Sequence, residues 1–159
     1  TSILTAIIPI SLIFILLKKG QIDSLHIENS KQRTTPYIYT LICFCFWCYF
    51  LRVTMHLPHI WLFIAIGATI ALAIVMLINH WWKISAHLTG MGGLLGGICS
   101  MALFYTMLPS ALIISVLIIS LLLMYARLYT NAHTPMQVVS GYLLGILCTF
   151  IPNLIIYYA

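Results

Sequence analysis

The sequence has 159 residues, of which 63% are hydrophobic and only 6% are charged, and its formal net charge is +5 at pH 7. A soluble domain carries about 25% charged residues, and one of this length has too little interior to hide so much apolar surface. The composition therefore excludes an ordinary soluble protein and predicts a chain that lies in lipid. The charge reflects a scarcity of acidic residues, and no basic run of the kind that binds nucleic acid is present.

Apolar segments of membrane-spanning length follow one another along the chain. About 20 apolar residues cross the roughly 30 Å of hydrocarbon in a bilayer, where helices and closed barrels are the structures that satisfy the backbone. We therefore predict an all-α, integral-membrane bundle of six transmembrane helices that forms a single domain over residues 1–159, with the first segment a true span rather than a signal peptide. The predicted spans are Thr1–Leu17, Tyr37–Met55, Ile60–Asn79, Leu88–Leu108, Ser110–Tyr125 and Pro135–Tyr157.

The connections between these spans alternate between the two membrane surfaces. Those after spans one, three and five are Lys18–Pro36, His80–His87 and Ala126–Thr134, and they share one surface, which we name the motif face. Six of the seven Lys and Arg residues and both acidic residues lie on this face. The positive-inside rule explains cationic loops in general, but it does not explain why histidines lie at the starts of two helices.

Two of these helix starts combine a histidine with a good capping residue. Ser85 suits the N-cap of the fourth span, which puts His87 in its first turn, and Thr134 suits the N-cap of the sixth, directly after His133. Helix N-termini present free N–H groups and the positive end of the helix dipole, so they attract anions. If the two helices pack together, the histidines should converge. Pairs of small residues that favour such packing are Gly92/Gly96, Gly93/Gly97 and Gly141/Gly145.

Histidine and arginine recur at fixed spacings on the motif face. Arg127 is followed after five residues by His133 and after three more by Gln137. Residues Ile84–His87 read Ile-Ser-Ala-His, and His26 begins the pattern His-x6-Arg-Thr.

These patterns resemble the three motifs of the type 2 phosphatidic acid phosphatase superfamily, integral-membrane lipid phosphatases whose site design is shared with vanadium haloperoxidases. The family motifs are Ser-Arg-x5-His-x3-Asp, Pro-Ser-Gly-His and Lys-x6-Arg-Pro. The match covers residues 26–145, with Gln137 in place of the Asp and a variant first motif. Many family members carry the first two motifs on one loop. Here two spans intervene, but two spans form a hairpin, so all three motifs still meet at the motif face.

The resemblance implies a metal-independent lipid phosphatase that needs no cofactor. His133 would be the nucleophile that forms a phosphohistidine, His87 would be the general acid that protonates the leaving alcohol, and Gln137 would orient His133. Cationic and hydrogen-bonding groups would hold the phosphate oxygens. The residues expected in this role are Arg127, Arg33, Ser85, Ala86, Lys31, Lys83 and His26.

Gln137 is the main departure from the family pattern. Its carbonyl oxygen accepts a hydrogen bond but carries no charge, and loss of the comparable carboxylate in a serine protease costs about 10⁴-fold in rate. Thr134-x-x-Gln137 is also the pattern of a helix capping box. Three alternatives follow: Gln137 orients His133 well enough, Glu28 or Asp23 supplies the charge, or the protein has lost activity. We favour the first.

Three functions fit these patterns. The leading one is hydrolysis of a lipid phosphate or diphosphate, with a phospholipid or polyprenyl phosphate as substrate and no nucleic acid as partner. The others are phosphotransfer to an acceptor other than water, and a non-catalytic role in lipid binding or helix assembly. The family implies a bacterial inner membrane with the active site on the outer, periplasmic side and both termini in the cytoplasm. The lysines of the motif face favour the opposite orientation under the positive-inside rule, although residues recruited to bind phosphate should be discounted.

Overall fold

The protein is described by a computed structural model over residues 30–105 and 110–158, together with positions 11, 14, 15, 17 and 18. All regular structure in this part of the chain is helical. Each helix is long and apolar enough to cross a membrane. The helices are α1 (Ser30–Val53), α2 (His59–Ile78), α3 (Ala86–Phe104), α4 (Ser110–Tyr129) and α5 (Pro135–Tyr158).

These helices confirm the all-α fold and five of the six predicted spans. The first predicted span, Thr1–Leu17, lies outside the described residues except at four positions, which are helical. The described residues therefore contain five candidate spans, not six. Three boundaries differ from prediction by four residues or more: α1 already begins at Ser30, α3 ends at Phe104 and α4 continues to Tyr129.

The longer α4 places Arg127 in its last helical turn, whereas the sequence predicted that this residue lies in the connection between two spans. The helix ends in a Schellman motif at Asn131, whose φ is 53°. The Asn131 N–H donates to the Leu128 carbonyl at 3.0 Å, and the Ala132 N–H donates to the Arg127 carbonyl at 3.1 Å. Asparagine tolerates the left-handed conformation that this motif requires. Asn131 is thus the sequence signal that marks the true end of α4.

The most extensive packing in the described bundle joins α3 to α5. A Cβ atom at Gly96 would lie 2.7 Å from the carbonyl oxygen of Ile146, and one at Gly141 would lie 2.6 Å from that of Ser85. Glycine therefore lets the two backbones touch, as small residues do between membrane helices. Contacting residues follow in the same order along both helices. The two helices are consequently parallel, and both begin at the motif face.

Buried hydroxyl groups hold the register of the same two helices. The Thr149 Oγ1 atom lies 3.0 Å from the Gly93 carbonyl oxygen and 3.0 Å from that of Gly145 in its own helix. The Ser100 Oγ atom lies 3.2 Å from the Thr149 carbonyl oxygen and 2.8 Å from that of Gly96 in its own helix. Each hydroxyl has one hydrogen, which it shares between the two helices. Hydrogen bonds between membrane helices contribute roughly 0.6–2 kcal/mol each. Because these bonds lie well inside the bundle, the register of α3 and α5 is set far from the motif face as well as at it.

The remaining helices surround this pair unequally. α2 packs against α1, α3 and α5, and α4 lies against α3 and barely contacts α5. Among the described helices, α1 contacts α2 alone. The start of α1 therefore reaches the motif face without packing against the helices that carry His87 and His133.

Candidate active site

The packing of α3 on α5 brings together the two segments that precede these helices. The Ser85 N–H donates to the Gln137 carbonyl at 3.2 Å. The His133 Nδ1 atom lies 3.1 Å from the carbonyl oxygen of Lys83. These contacts bring the segments 83–85 and 133–137 together, while the convergence of the His87 and His133 side chains stays a prediction.

His133 directly precedes the N-cap of α5. The Thr134 N–H donates to Gln137 Oε1 at 3.1 Å, and the Gln137 N–H donates to Thr134 Oγ1 at 3.5 Å. These two bonds form the predicted capping box. The box begins α5 and the turn at Asn131 ends α4, so the short backbone segment that carries His133 is fixed at both ends.

The side-chain oxygen of Gln137 has a second contact. Gln137 Oε1 lies 3.3 Å from His133 Nδ1, so one atom both caps the helix and contacts the histidine ring. The carbonyl of Lys83 is a second contact of Nδ1, whereas the sequence pointed only to the Lys83 side chain. A main-chain acceptor is present at every residue, so the residue type gives no signal for it.

An open recess of about 420 Å³ surrounds His133 where α4 leads into α5. Two predicted catalytic residues, His133 and Gln137, line it. Arg127, Ser85, Ala86 and His87 do not line it. The other lining residues are Leu128, Asn131, Ala132, Thr134 and Pro135.

The start of α3 lies beside this recess. Ala86 is the first residue of the helix and His87 is the exposed second residue. Ser85 occupies the predicted N-cap, but the expected capping by its side chain is wrong: its Oγ atom is fully buried and has no hydrogen-bond partner among the described residues. Close packing against Gly141 holds this segment instead of a capping bond.

Two half-buried cationic residues, Arg127 and Lys83, belong to the described part of the motif face. Arg127 continues the stripe of α4 that includes the buried residues Val116 and Ser120, at helical spacing. Val116 packs against α3 through Leu95 and its neighbours. The Arg127 side chain therefore lies on the side of α4 that faces the bundle.

The side chains predicted for the first motif lie outside the described part of the chain. His26 lies outside the described residues, as do Asp23 and Glu28. Lys31 and Arg33 belong to the first turns of α1, but their side chains lie outside the described part of the chain. Their roles stay predictions from the sequence.

Searches against protein families, curated proteins and solved structures found no match to this chain. The resemblance to the phosphatase superfamily consequently rests on the residues and spacings of the chain's own motifs.

Proposed function

We propose that this protein is a metal-independent lipid phosphatase that acts at the motif face through a phosphohistidine intermediate. The observation that carries the proposal is the setting of His133. Its Nδ1 atom contacts two oxygen acceptors, Lys83 O and Gln137 Oε1, while the residue lines an open recess at the start of a helix. A nucleophilic histidine needs its second ring nitrogen held by another group.

The proposed reaction has two steps. In the first, the lone pair of His133 Nε2 forms a bond to phosphorus, the ester P–O bond breaks, and His87, as imidazolium, gives its proton to the leaving oxygen. In the second, water attacks phosphorus, the P–N bond breaks with return of its electron pair to Nε2, and neutral His87 accepts a proton from the water. The products are an alcohol and inorganic phosphate.

Stabilisation of the phosphoryl group would come from fixed dipoles and cations. The start of α3 at Ala86 and the positive end of the α5 dipole would face the phosphate. At α5 the N–H groups of Thr134 and Gln137 are bonded within the capping box and Pro135 has none, so the first-turn amide that remains for a ligand is that of Met136. Arg127 would contact the phosphate oxygens by a bidentate contact, and Lys83 would add a second positive charge. The proposal also assigns phosphate contacts to Arg33, Lys31 and His26. Ser85 is left out of this set, because its side chain is 0% exposed.

The proposed setting is a bacterial inner membrane. Residues 1–17 would form a sixth span, so that Thr1 and Ala159 lie on the same side of the membrane. The resemblance to the phosphatase superfamily favours the cytoplasm for that side and the periplasm for the motif face. Protease treatment of sealed spheroplasts tests this arrangement. Cleavage within residues 18–36 is expected, and protection of that segment until the membrane is opened would contradict it.

The activity is tested with purified protein and a panel of lipids in detergent. The panel contains phosphatidate, phosphatidylglycerophosphate, a polyprenyl diphosphate and a phosphorylated glycolipid, and the readout is released inorganic phosphate. We expect release from at least one lipid, no loss with a chelator, and inhibition by vanadate, which mimics five-coordinate phosphorus bound to histidine. The variant His133→Asn, prepared in the same way, controls for a contaminating phosphatase.

Other outcomes of this assay identify the alternative functions. Transfer of labelled phosphate to an added lipid alcohol without release to water would indicate a phosphotransferase. Lipid binding without turnover would indicate a non-catalytic protein. A strict requirement for magnesium would contradict the histidine mechanism.

A further inference from the structure

The contacts of His133 Nδ1 determine which nitrogen of the neutral ring carries the hydrogen. Lys83 O, at 3.1 Å, is a carbonyl and can only accept a hydrogen bond. Gln137 Oε1, at 3.3 Å, accepts as well, and the bond that it receives from the Thr134 N–H identifies this atom as the oxygen of the amide. Nδ1 must therefore be the protonated nitrogen, and the lone pair of the neutral ring lies on Nε2.

Lys83 presents its carbonyl from a rigid segment. The two residues that follow, Ile84 and Ser85, are 2% and 0% exposed. The Ser85 N–H donates back to the Gln137 carbonyl at 3.2 Å, so two hydrogen bonds run in opposite directions between the segments 83–85 and 133–137. Close contact between Gly141 and the Ser85 carbonyl presses the same segment against α5.

We propose that the main-chain carbonyl of Lys83 is a positioning group for His133, which fixes the Nδ1–H tautomer of the ring from a different helix start. This inference rests on the proposed function and deepens it. A carbonyl dipole orients the ring as a carboxylate would, but it supplies no full charge. The tautomer consequently depends on the packing of α3 against α5, and Gln137 is its second support rather than its only one.

The same link bears on the geometry between the two proposed catalytic histidines. His87 follows Ser85 by two residues on α3, and His133 is joined to Lys83 by a direct contact. Any displacement of the segment 83–85 would therefore move His87 and, at the same time, weaken the contact that orients His133. Ser85 and Gly141, which touch no substrate in the proposed reaction, would act through this segment.

The test uses full-length protein in detergent, with ¹⁵N-labelled histidine and NMR of the ring nitrogens at alkaline pH, where imidazole is neutral. His133 signals are assigned from the spectrum of His133→Asn. We expect a protonated Nδ1 and an unprotonated Nε2 in the native protein and also in Gln137→Leu, because Lys83 still accepts. A native Nε2–H tautomer, or a change of tautomer in Gln137→Leu, would overturn the proposal.

A second pair of variants tests the packing. In Gly141→Ala the new Cβ would lie 2.6 Å from the Ser85 carbonyl oxygen, so we expect loss of the single tautomer. Gly90→Ala, on α3 with no atom of the described residues within 4 Å of the new Cβ, is the matched control and should keep the single tautomer. Retention of the native signals in folded Gly141→Ala would contradict the packing step. If Gly141→Ala does not fold, the native and Gln137→Leu spectra decide, and neither depends on turnover.

Discussion

Two histidines lie at the start of a helix and within two residues of a proline. They occupy opposite ends of the bundle. His133 precedes α5 at the motif face, whereas His59 is the first residue of α2 at the other end. His133 is half-buried, and its Nδ1 contacts the carbonyl of Lys83 across the α3–α5 packing. His59 is exposed, and its ring lies 6.4 Å from that of Phe63, one turn further along the same helix.

The difference lies in what surrounds each helix start. Pro58, at the N-cap of α2, makes no side-chain capping bond, and the preceding turn contains His56 in a left-handed conformation with φ 47°. The contact between the rings of His59 and Phe63 lies within a single helix. At α5, a capping box and a second, parallel helix start both reach the histidine. A histidine at a helix start thus becomes a candidate site residue where another helix supplies its partner.

The strongest test of this comparison replaces each histidine by asparagine. His133→Asn should lower phosphate release by at least about 10³-fold, since removing a protease nucleophile costs on the order of 10⁶-fold. His59→Asn should change turnover less than twofold, because His59 lies at the opposite end of the bundle from the proposed site. Initial rates at saturating lipid measure both. Equal losses in the two variants would break the comparison and remove His133 from the proposed mechanism.

Replacement of His87 by asparagine separates acid catalysis from the nucleophilic step. General acids contribute about 10²–10⁴-fold, so turnover of a lipid phosphate should fall by that amount. A substrate with a good leaving group, such as an aryl phosphate, does not need protonation of the departing oxygen and should lose far less. Rates on both substrates, compared with native protein, give the answer. Equal losses on the two would show that His87 is not the general acid.

Substitution of a packing glycine tests whether the parallel helix pair creates the site. A Cβ at Gly145 would lie 2.5 Å from the amide nitrogen of Gly93, so Gly145→Ala must separate α3 from α5. Overpacking of this kind costs about 1–3 kcal/mol, and we expect a lower melting temperature together with lower turnover. Gly90→Ala meets no neighbour in the described part of the chain and should melt at or slightly above the native temperature, because alanine favours helix by about 1 kcal/mol. Native turnover in a destabilised Gly145→Ala would uncouple the packing from the site.

The sequence predicted the parts of the molecule that are local. Span lengths follow from apolar runs, and the capping box follows from Thr134 and Gln137 at their characteristic spacing. Packing between α3 and α5 was predicted from glycine spacing. The contact of His133 with Lys83 could not be predicted, because it joins a side chain to a main-chain oxygen and depends on the register of two helices. Burial of the Ser85 side chain could not be predicted for the same reason. The capping preference of serine is a local property and carries no information about packing against a neighbouring helix.

Substitutions of Gln137 should have the smallest effects on turnover. They also distinguish two roles of this residue, because its Oε1 both caps α5 and contacts His133. Gln137→Leu should lower the stability of the helix start by about 0.5–2 kcal/mol. It should lower turnover by only about fivefold, since one hydrogen bond contributes roughly 1 kcal/mol and the Lys83 carbonyl still orients the ring. Melting temperature and turnover, measured on the same preparations, report the two roles separately.

Two acidic variants sharpen the result. Gln137→Glu has the length of glutamine and keeps the capping box, so its melting temperature should match that of the native protein. Its charge would stabilise the cationic phosphohistidine, so turnover should rise. Gln137→Asp restores the family residue but is one methylene shorter, and part of the gain should be lost to geometry, leaving turnover equal to or above that of the native protein. If Gln137→Leu melts earlier but turns over normally, and Gln137→Glu gains nothing, Gln137 is a helix cap alone. The charge that assists His133 would then have to come from Glu28 or Asp23.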